Sequence, residues 1–264
     1  MIGFIGGGNM AEALIKGMIQ DSKFKIQDIL VSEPREDRRK YLEHTYGIKI
    51  TESNKEAASL CNIIILAVKP QNMTIVLDEI ADLITEEKTV VSIAAGITLS
   101  YLQSRLKTKK LIRIMPNTPA IVQEGMSVMS LCECFSDKDI TVVRDIFMSV
   151  GKVLTLPEKY MDAVTALSGS GPAFVALFVE AVIAAGEKMW LSRDNAIELA
   201  IQTLIGAARL LDTGMPPEKL REMVTSPGGT TAAGLKVFEE KGFKDIVYAA
   251  LYAAKKRAEE LSKA

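Results

Sequence analysis

The chain has 264 residues, of which 48% are hydrophobic and 25% charged, with a formal net charge of −1. That length allows one large domain or two of ordinary size, and the composition is that of a folded chain, which excludes intrinsic disorder. A charge so near zero also excludes nucleic acid as a main partner, because neutralising phosphates needs a basic surplus.

Met1-Ile2-Gly3-Phe4-Ile5 reads as a first strand with no charged leader or cleavage site, so no secretion signal is expected. It runs into Gly6-Gly7-Gly8-Asn9-Met10-Ala11, a G-x-G-x-x-A sequence leading to a helical pattern over Met10–Ile19. Gly6 permits a tight turn, Gly8 lets a pyrophosphate approach the backbone, and the small Ala11 allows close helix–strand contact. The N–H groups at the helix start then face the phosphates. The second strand, Ile29–Val31, ends in Ser32-Glu33-Pro34-Arg35. An acidic side chain there accepts the ribose hydroxyls of NAD, whereas Ser32 and Arg35 suit the extra phosphate of NADP; the balance leans to NADP.

A helix over Arg35–His44 follows, with the only histidine, His44, expected at a surface helix end, which disfavours a histidine-dependent 2-hydroxy-acid dehydrogenase. Further strands are expected at Ile48–Ile50, Ile63–Val68, Thr89–Ile93, Leu111–Met115, Ser127–Leu131 and Val153–Leu156. Several are apolar on successive residues, as parallel strands covered on both faces are. The alternation predicts a doubly wound, Rossmann-type α/β domain over residues 1–157. Three strand ends carry small or rigid loops: Ala67-Val68-Lys69-Pro70, Ser92-Ile93-Ala94-Ala95-Gly96 and Met115-Pro116-Asn117-Thr118-Pro119. Ligands bind at that edge in this fold, so one groove along it is expected. The cysteines, Cys61, Cys132 and Cys134, are odd in number and lack a framework spacing, which points to reduced thiols and the cytoplasm. With one histidine and no Cys-x-x-Cys, no metal site is expected.

From residue 158 the strands stop, and helices are expected at Met161–Leu167, Pro172–Trp190, Arg193–Thr213, Pro217–Val224, Thr230–Lys241 and Phe243–Ser262. Residues 158–264 therefore form an all-helical second domain. Pro172 suits a first helical turn. Apolar residues run nearly all round Pro172–Ala185, so that helix should be buried on every side. A helical region this small struggles to surround it, so a second copy is expected to cover part of it, making the protein a homodimer at least. The longest apolar stretch, Pro172–Gly186, contains Glu180 and is too short to span a bilayer, so no membrane is expected. Leu167-Ser168-Gly169-Ser170-Gly171-Pro172 is not a nucleophile elbow, because Ser168 stands where glycine is needed and no strand precedes it.

Ser226-Pro227-Gly228-Gly229-Thr230-Thr231 precedes the helix beginning Ala232-Ala233. Threonine capping would explain a hydroxyl but not two glycines and two threonines together. A cradle for a carboxylate explains all of them, because glycines admit a ligand to the backbone and a helix start offers N–H donors. A dinucleotide cofactor implies hydride transfer. No histidine stands at the strand edge to protonate a carbonyl oxygen. An imine arrives already protonated, and modest hydroxyl donors then suffice.

The segments GFIGGGNMA, AVKP at 67–70, VVSIAAG at 90–96, MPNTPA at 115–120, LSGSGPAF at 167–174 and SPGGTT at 226–231 resemble pyrroline-5-carboxylate reductase, in the same order and over nearly the whole chain. The resemblance implies reduction of the cyclic imine Δ1-pyrroline-5-carboxylate to L-proline by NAD(P)H, the last step of proline synthesis. It also implies a dimerising helical domain, with dimers sometimes assembling into rings. Carried over, Gly6, Gly7, Gly8, Asn9, Met10 and Ala11, with Ala67, Val68, Lys69 and Pro70, match cofactor-binding segments. Ser32, Arg35, Asn54 and Ile93, Ala94 and Ala95 join them, the last three near the nicotinamide. Ser226, Gly228, Gly229, Thr230 and Thr231 match the substrate loop, with Thr231 the donor to the imine; Ser170 and Asn117 are further catalytic and substrate-binding candidates. A β-hydroxyacid dehydrogenase is the alternative, for which only Lys188 could serve as the helix lysine, in a setting that does not match well. A cofactor-sensing binding protein without turnover is another.

Overall fold

The computed structural model describes residues 1–132 and 137–263, which leaves Cys134 outside the described residues. Its strands are β1 Ile2–Ile5, β2 Ile29–Ser32, β3 Lys49–Thr51, β4 Ile63–Leu66, β5 Thr89–Ser92, β6 Leu111–Met115, β7 Gly125–Leu131 and β8 Gly151–Thr155. They form one sheet in the order β3-β2-β1-β4-β5-β6-β7-β8. Pairing is parallel from β3 to β6; β7 runs antiparallel to β6, and β8 parallel to β7. The order runs outward in both directions from β1 and β4, so their connections leave on opposite faces and a crevice opens at their carboxyl ends.

Helices α1 Asn9–Gln20, α2 Glu36–Tyr46, α3 Asn54–Leu60, α4 Met73–Ile80, α5 Leu99–Arg105 and α6 Asp137–Met148 connect the strands. Two apolar clusters result. One gathers Phe4, Leu14, Met18, Val31 and Phe147; the other gathers Ile5, Leu66, Leu77, Val90 and Leu102. β1 and β2 are buried along their whole length, as the apolar residues Ile2–Ile5 and 29–31 require, and Ser32 at the end of β2 is buried with them. The expected strands Ile63–Val68 and Thr89–Ile93 stop at Leu66 and Ser92, because the chain there turns off the sheet edge. At the far edge Gly151 pairs with Gly125, and a Cβ on Gly151 would run into the Gly125 carbonyl. Lys88 is buried with its Nζ donating to the carbonyls of Ala58, Ser59 and Cys61, where it closes the C-terminal end of α3. Burial holds its pKa below the ordinary lysine value.

The chain divides into two compact units, Met1–Ser170 with Ala254–Ala264, and Gly171–Ala253. In the first, a buried arginine on β6 organises the segment that follows the sheet. Arg113 Nη1 lies 3.1 Å from Glu158 and Nη2 3.7 Å from Asp162. The same Glu158 oxygen accepts the N–H of Leu99 at the start of α5 (2.8 Å), and Asp162 accepts from Ser262 (3.2 Å). One cation thus ties together β6, α5 and two later segments of the chain.

Beyond the sheet come α7 Met161–Val164, a π turn at Thr165–Gly169, α8 Gly171–Lys188, α9 Arg193–Asp212, α10 Pro217–Met223, α11 Thr230–Glu240 and α12 Phe243–Lys263. The single chain does not bury α8 on every side. Val175, Phe178 and Val182 are exposed, and Leu177 is 64% exposed. Small residues on one face let α9 approach, with Gly186 against Ala196, and the remaining faces of α8 are left uncovered. The apolar run 172–186 lies within a longer helical segment. The helical run from Glu158 to Lys188 covers 31 residues and contains an 18-residue window with a mean hydropathy of 1.7, long and apolar enough by length and composition to cross a membrane. The apolar run 172–186 alone is shorter because α7 and the π turn extend the helix ahead of it.

Removing one partner of a buried ion cluster strands the others. Arg113→Met is therefore expected to lower the unfolding free energy by about 3 kcal/mol, seen as a lower denaturant midpoint at an unchanged slope. A midpoint equal to that of the parent protein would show that Glu158 and Asp162 do not need the arginine.

Candidate functional site

The crevice begins where β1 ends. Gly6 has φ +100°, and a Cβ there would lie 2.8 Å from the Ala67 carbonyl oxygen. Its N–H donates to the Ser32 carbonyl at 2.8 Å, so the ends of β1, β2 and β4 meet at one residue. Gly8 is the N-cap of α1, with no side chain capping the helix and open space within 4 Å of where its Cβ would stand. Uncapped N–H groups beneath an unobstructed backbone fit a pyrophosphate. Ala11 is fully buried against the sheet, Met10 is half-buried and Asn9 is exposed.

At the end of β2 the polar groups are largely committed to the scaffold. Glu33 is 5% exposed. Its Oε2 accepts the Gly7 N–H at 2.9 Å, and its Oε1 accepts the N–H and Nε of Arg35, each at 3.1 Å. Ser32 is fully buried and donates to Asn54 Oδ1 at 2.7 Å, while Asn54 Nδ2 donates to Glu79 at 2.8 Å. Of the pair expected to meet an extra phosphate, only Arg35 is exposed. A second support was not visible in the spacing: Arg38 on α2 donates to the Gly7 carbonyl at 2.6 Å and pairs with Glu12 on α1. Burial raises the Glu12 pKa, but hydrogen bonds from Arg38, Tyr46 and Tyr41 outweigh it and hold the carboxyl below its ordinary range. Burial and the neighbouring Glu12 push Tyr46 upward. Both loops of the crevice are thereby braced.

Along the carboxyl edge, Ala67 and Val68 are half-buried, Lys69 is exposed and Pro70 opens a short 3-10 turn. Ala94 is buried between half-buried Ile93 and Ala95. Gly96 has φ +78°, and a Cβ there would come within 2.9 Å of the Leu261 carbonyl oxygen. At the end of β6, Asn117 accepts the Met126 N–H at 2.8 Å and donates to both the carbonyl and the hydroxyl of Ser168, each at 3.2 Å. Ser170 follows that turn, half-buried, and its hydroxyl has no partner among the described residues.

In the second unit, Gly229 N–H donates to the Ser226 carbonyl at 3.0 Å and Gly228 has φ +70°, which glycine alone adopts freely. The N-cap of α11 is Gly229, and no side chain caps the helix, so threonine capping is not what this loop is for. Ser226 and Thr230 are exposed and Thr231 is half-buried; neither threonine hydroxyl is paired among the described residues. His44 is exposed near the end of α2, and Lys188 is exposed at the end of α8. The structure gathers the expected cofactor residues around the crevice of the first unit, and the 226–231 loop belongs to the second.

Residues 158–261 match the family model described as pyrroline-5-carboxylate reductase dimerisation, and residues 1–96 match one described as NADP oxidoreductase, coenzyme F420-dependent. A pyrroline-5-carboxylate reductase of Synechocystis sp. is 41% identical over 263 residues, covering 99% of this chain and 98% of that protein. The solved structure of a pyrroline-5-carboxylate reductase from Coxiella burnetii superposes with a TM-score of 0.93 at 35% identity, over 100% of this chain and 98% of that one. That of Plasmodium falciparum pyrroline carboxylate reductase with NADP bound gives a TM-score of 0.89 at 33% identity, over 99% and 97%.

The contrast between two glycines tests the crevice. Gly6→Ala should lower the melting temperature markedly, since its Cβ meets a backbone oxygen at a positive φ. Gly8→Ala should cost the fold little, on the order of the 1 kcal/mol of a changed N-cap, yet weaken NADP binding at least tenfold by titration calorimetry. Undiminished binding in Gly8→Ala would remove the helix start as the pyrophosphate site.

Proposed function

This chain belongs to the pyrroline-5-carboxylate reductase family, and we propose here which of its residues carry the family's reaction. It is an NAD(P)H-dependent oxidoreductase that reduces the cyclic imine Δ1-pyrroline-5-carboxylate to L-proline, the last step of proline biosynthesis. Residues 1–157 are assigned to cofactor binding and 158–264 to substrate binding and dimerisation, in keeping with the dimerisation model matched over 158–261. The exposed apolar faces of α8 are assigned to a second copy, giving a dimer at least, and not to lipid or nucleic acid; Glu180 lies exposed among them. An odd number of cysteines favours the cytoplasm.

The observation that carries the assignment is the uncapped start of α11 behind two glycines. Its backbone N–H groups are free to take the substrate carboxylate, and Ser226, Gly228, Gly229 and Thr230 shape the loop around it. When bound, NAD(P)H supplies the hydride that reduces the carbon of the C=N bond. The imine nitrogen, which arrives protonated, receives the electron pair of the C=N bond and becomes the neutral ring amine; the Thr231 hydroxyl hydrogen-bonds the lone pair that forms there and relays to it the solvent proton that completes the ring ammonium. Ser170 is the second hydroxyl assigned to the reacting ring. Holding the carboxylate fixes the ring orientation, so the loop acts by placement. Gly6 to Ala11 carry the pyrophosphate and Ala67 to Pro70 line its path, with Ile93, Ala94 and Ala95 beside the nicotinamide. Ser32 and Asn54 shape the floor of the ribose site through their mutual bond. NADPH is assigned as the preferred form. Glu33 is committed to Gly7 and Arg35, whereas the two terminal guanidinium nitrogens of Arg35 are unpaired among the described residues and open to a phosphate.

Oxidation of NADPH and of NADH in the presence of Δ1-pyrroline-5-carboxylate, with proline identified as product, tests the reading. Turnover is expected with both and a higher kcat/KM with NADPH. Thr231→Ala should reduce kcat/KM by about 100-fold at an unchanged melting temperature, and parental kinetics in that variant would take Thr231 out of the mechanism.

A further inference from the structure

We propose that Asn117 is a positioning residue: it locks the π turn that presents Ser170 and does not itself bind the substrate. The proposal rests on the reading above that Ser170 faces the reacting ring.

The reason begins with a missing proton. In an α-helix the carbonyl of Ser168 would accept the N–H four residues on, but that residue is Pro172, which has none. The pyrrolidine ring also crowds the same carbonyl. The chain responds with a π turn over Thr165–Gly169, closed by the Ser170 N–H donating to the Thr165 carbonyl at 2.8 Å. The Ser168 carbonyl, with no N–H four residues on to meet it, takes the Asn117 amide from the end of β6.

The Asn117 amide is engaged at both ends: its nitrogen donates to the carbonyl and the hydroxyl of Ser168, while its oxygen takes the Met126 N–H. Gly169 lies against the Met115 side chain closely enough that a Cβ would come within 2.6 Å of it. The turn therefore sits on the carboxyl end of β6, within the unit that holds the cofactor edge. What Asn117 fixes is where the unpaired Ser170 hydroxyl stands relative to that edge.

Asn117→Asp separates this role from others. The aspartate keeps an acceptor for Met126, so the start of β7 is undisturbed, but it loses both donors and sets a carboxylate oxygen against the Ser168 carbonyl. With Δ1-pyrroline-5-carboxylate as substrate, kcat should fall at least tenfold with the imine KM within twofold of the parent, and NADP affinity by calorimetry should stay within twofold. Ser170→Ala should show a similar loss, and the double variant should be no worse than the poorer single one, because both act through one hydroxyl. An unchanged kcat in Asn117→Asp, multiplying losses in the double variant, or weakened NADP binding would overturn the proposal. So would a raised KM with kcat intact, which is the signature of a direct substrate ligand. Full activity in Ser170→Ala would instead sink the underlying reading of Ser170, and the proposal with it.

Discussion

Everything in the crevice depends on the distance between the end of β1 and the end of β4. At Gly6 the two chains come so close that the place of a side chain is taken by the Ala67 carbonyl. Without a Cβ, β1 can turn sharply, deliver Gly8 to the start of α1 and leave the backbone there open. The parallel pairing of β1 with both β2 and β4 is what forces the approach. A doubly wound sheet has to part at this point, and the glycine lets it part into a binding site.

Around that point the polar residues sort by whether their hydrogen-bonding capacity is already consumed. Ser32, Asn54, Glu33 and Asn117 spend theirs on neighbouring side chains and on backbone, and so define shape. Arg35, Ser170, Thr230 and Thr231 hold donors in reserve, and so are suited to a ligand. Of these four, Ser170 and Thr231 are half-buried, where an unpaired donor costs most, while Arg35 and Thr230 hold theirs in water. The division does not follow residue type: one serine is scaffold and another is not.

Strand pattern made the first half of the chain legible, since β1, β2, β4 and β5 carry apolar residues on successive positions, as interior parallel strands do. The glycine loop was legible because its residues have steric reasons that hold wherever they occur. The commitment of Asn117 was not, although Pro172 stands in the sequence, because nothing local says which distant donor will meet an orphaned carbonyl. Arg38 and Glu12 were missed for the same reason: their meeting depends on how α1 and α2 lie on the sheet. The exposure of α8 in the single chain was legible too, because its apolar residues ask for more cover than a helical region of this size supplies.

On the assignment of α8 to a second copy, that uncovered helix ties folding to mass action. The free energy released when its leucine, valines and phenylalanines leave water is then available only when two chains meet, so it depends on how many chains are present. A melting temperature measured on this protein is then a property of a concentration as well as of a sequence. Dilution acts on it much as a destabilising substitution would. The sheet carries its own two cores and is spared that dependence, so the two ends of one polypeptide answer to different laws of stability.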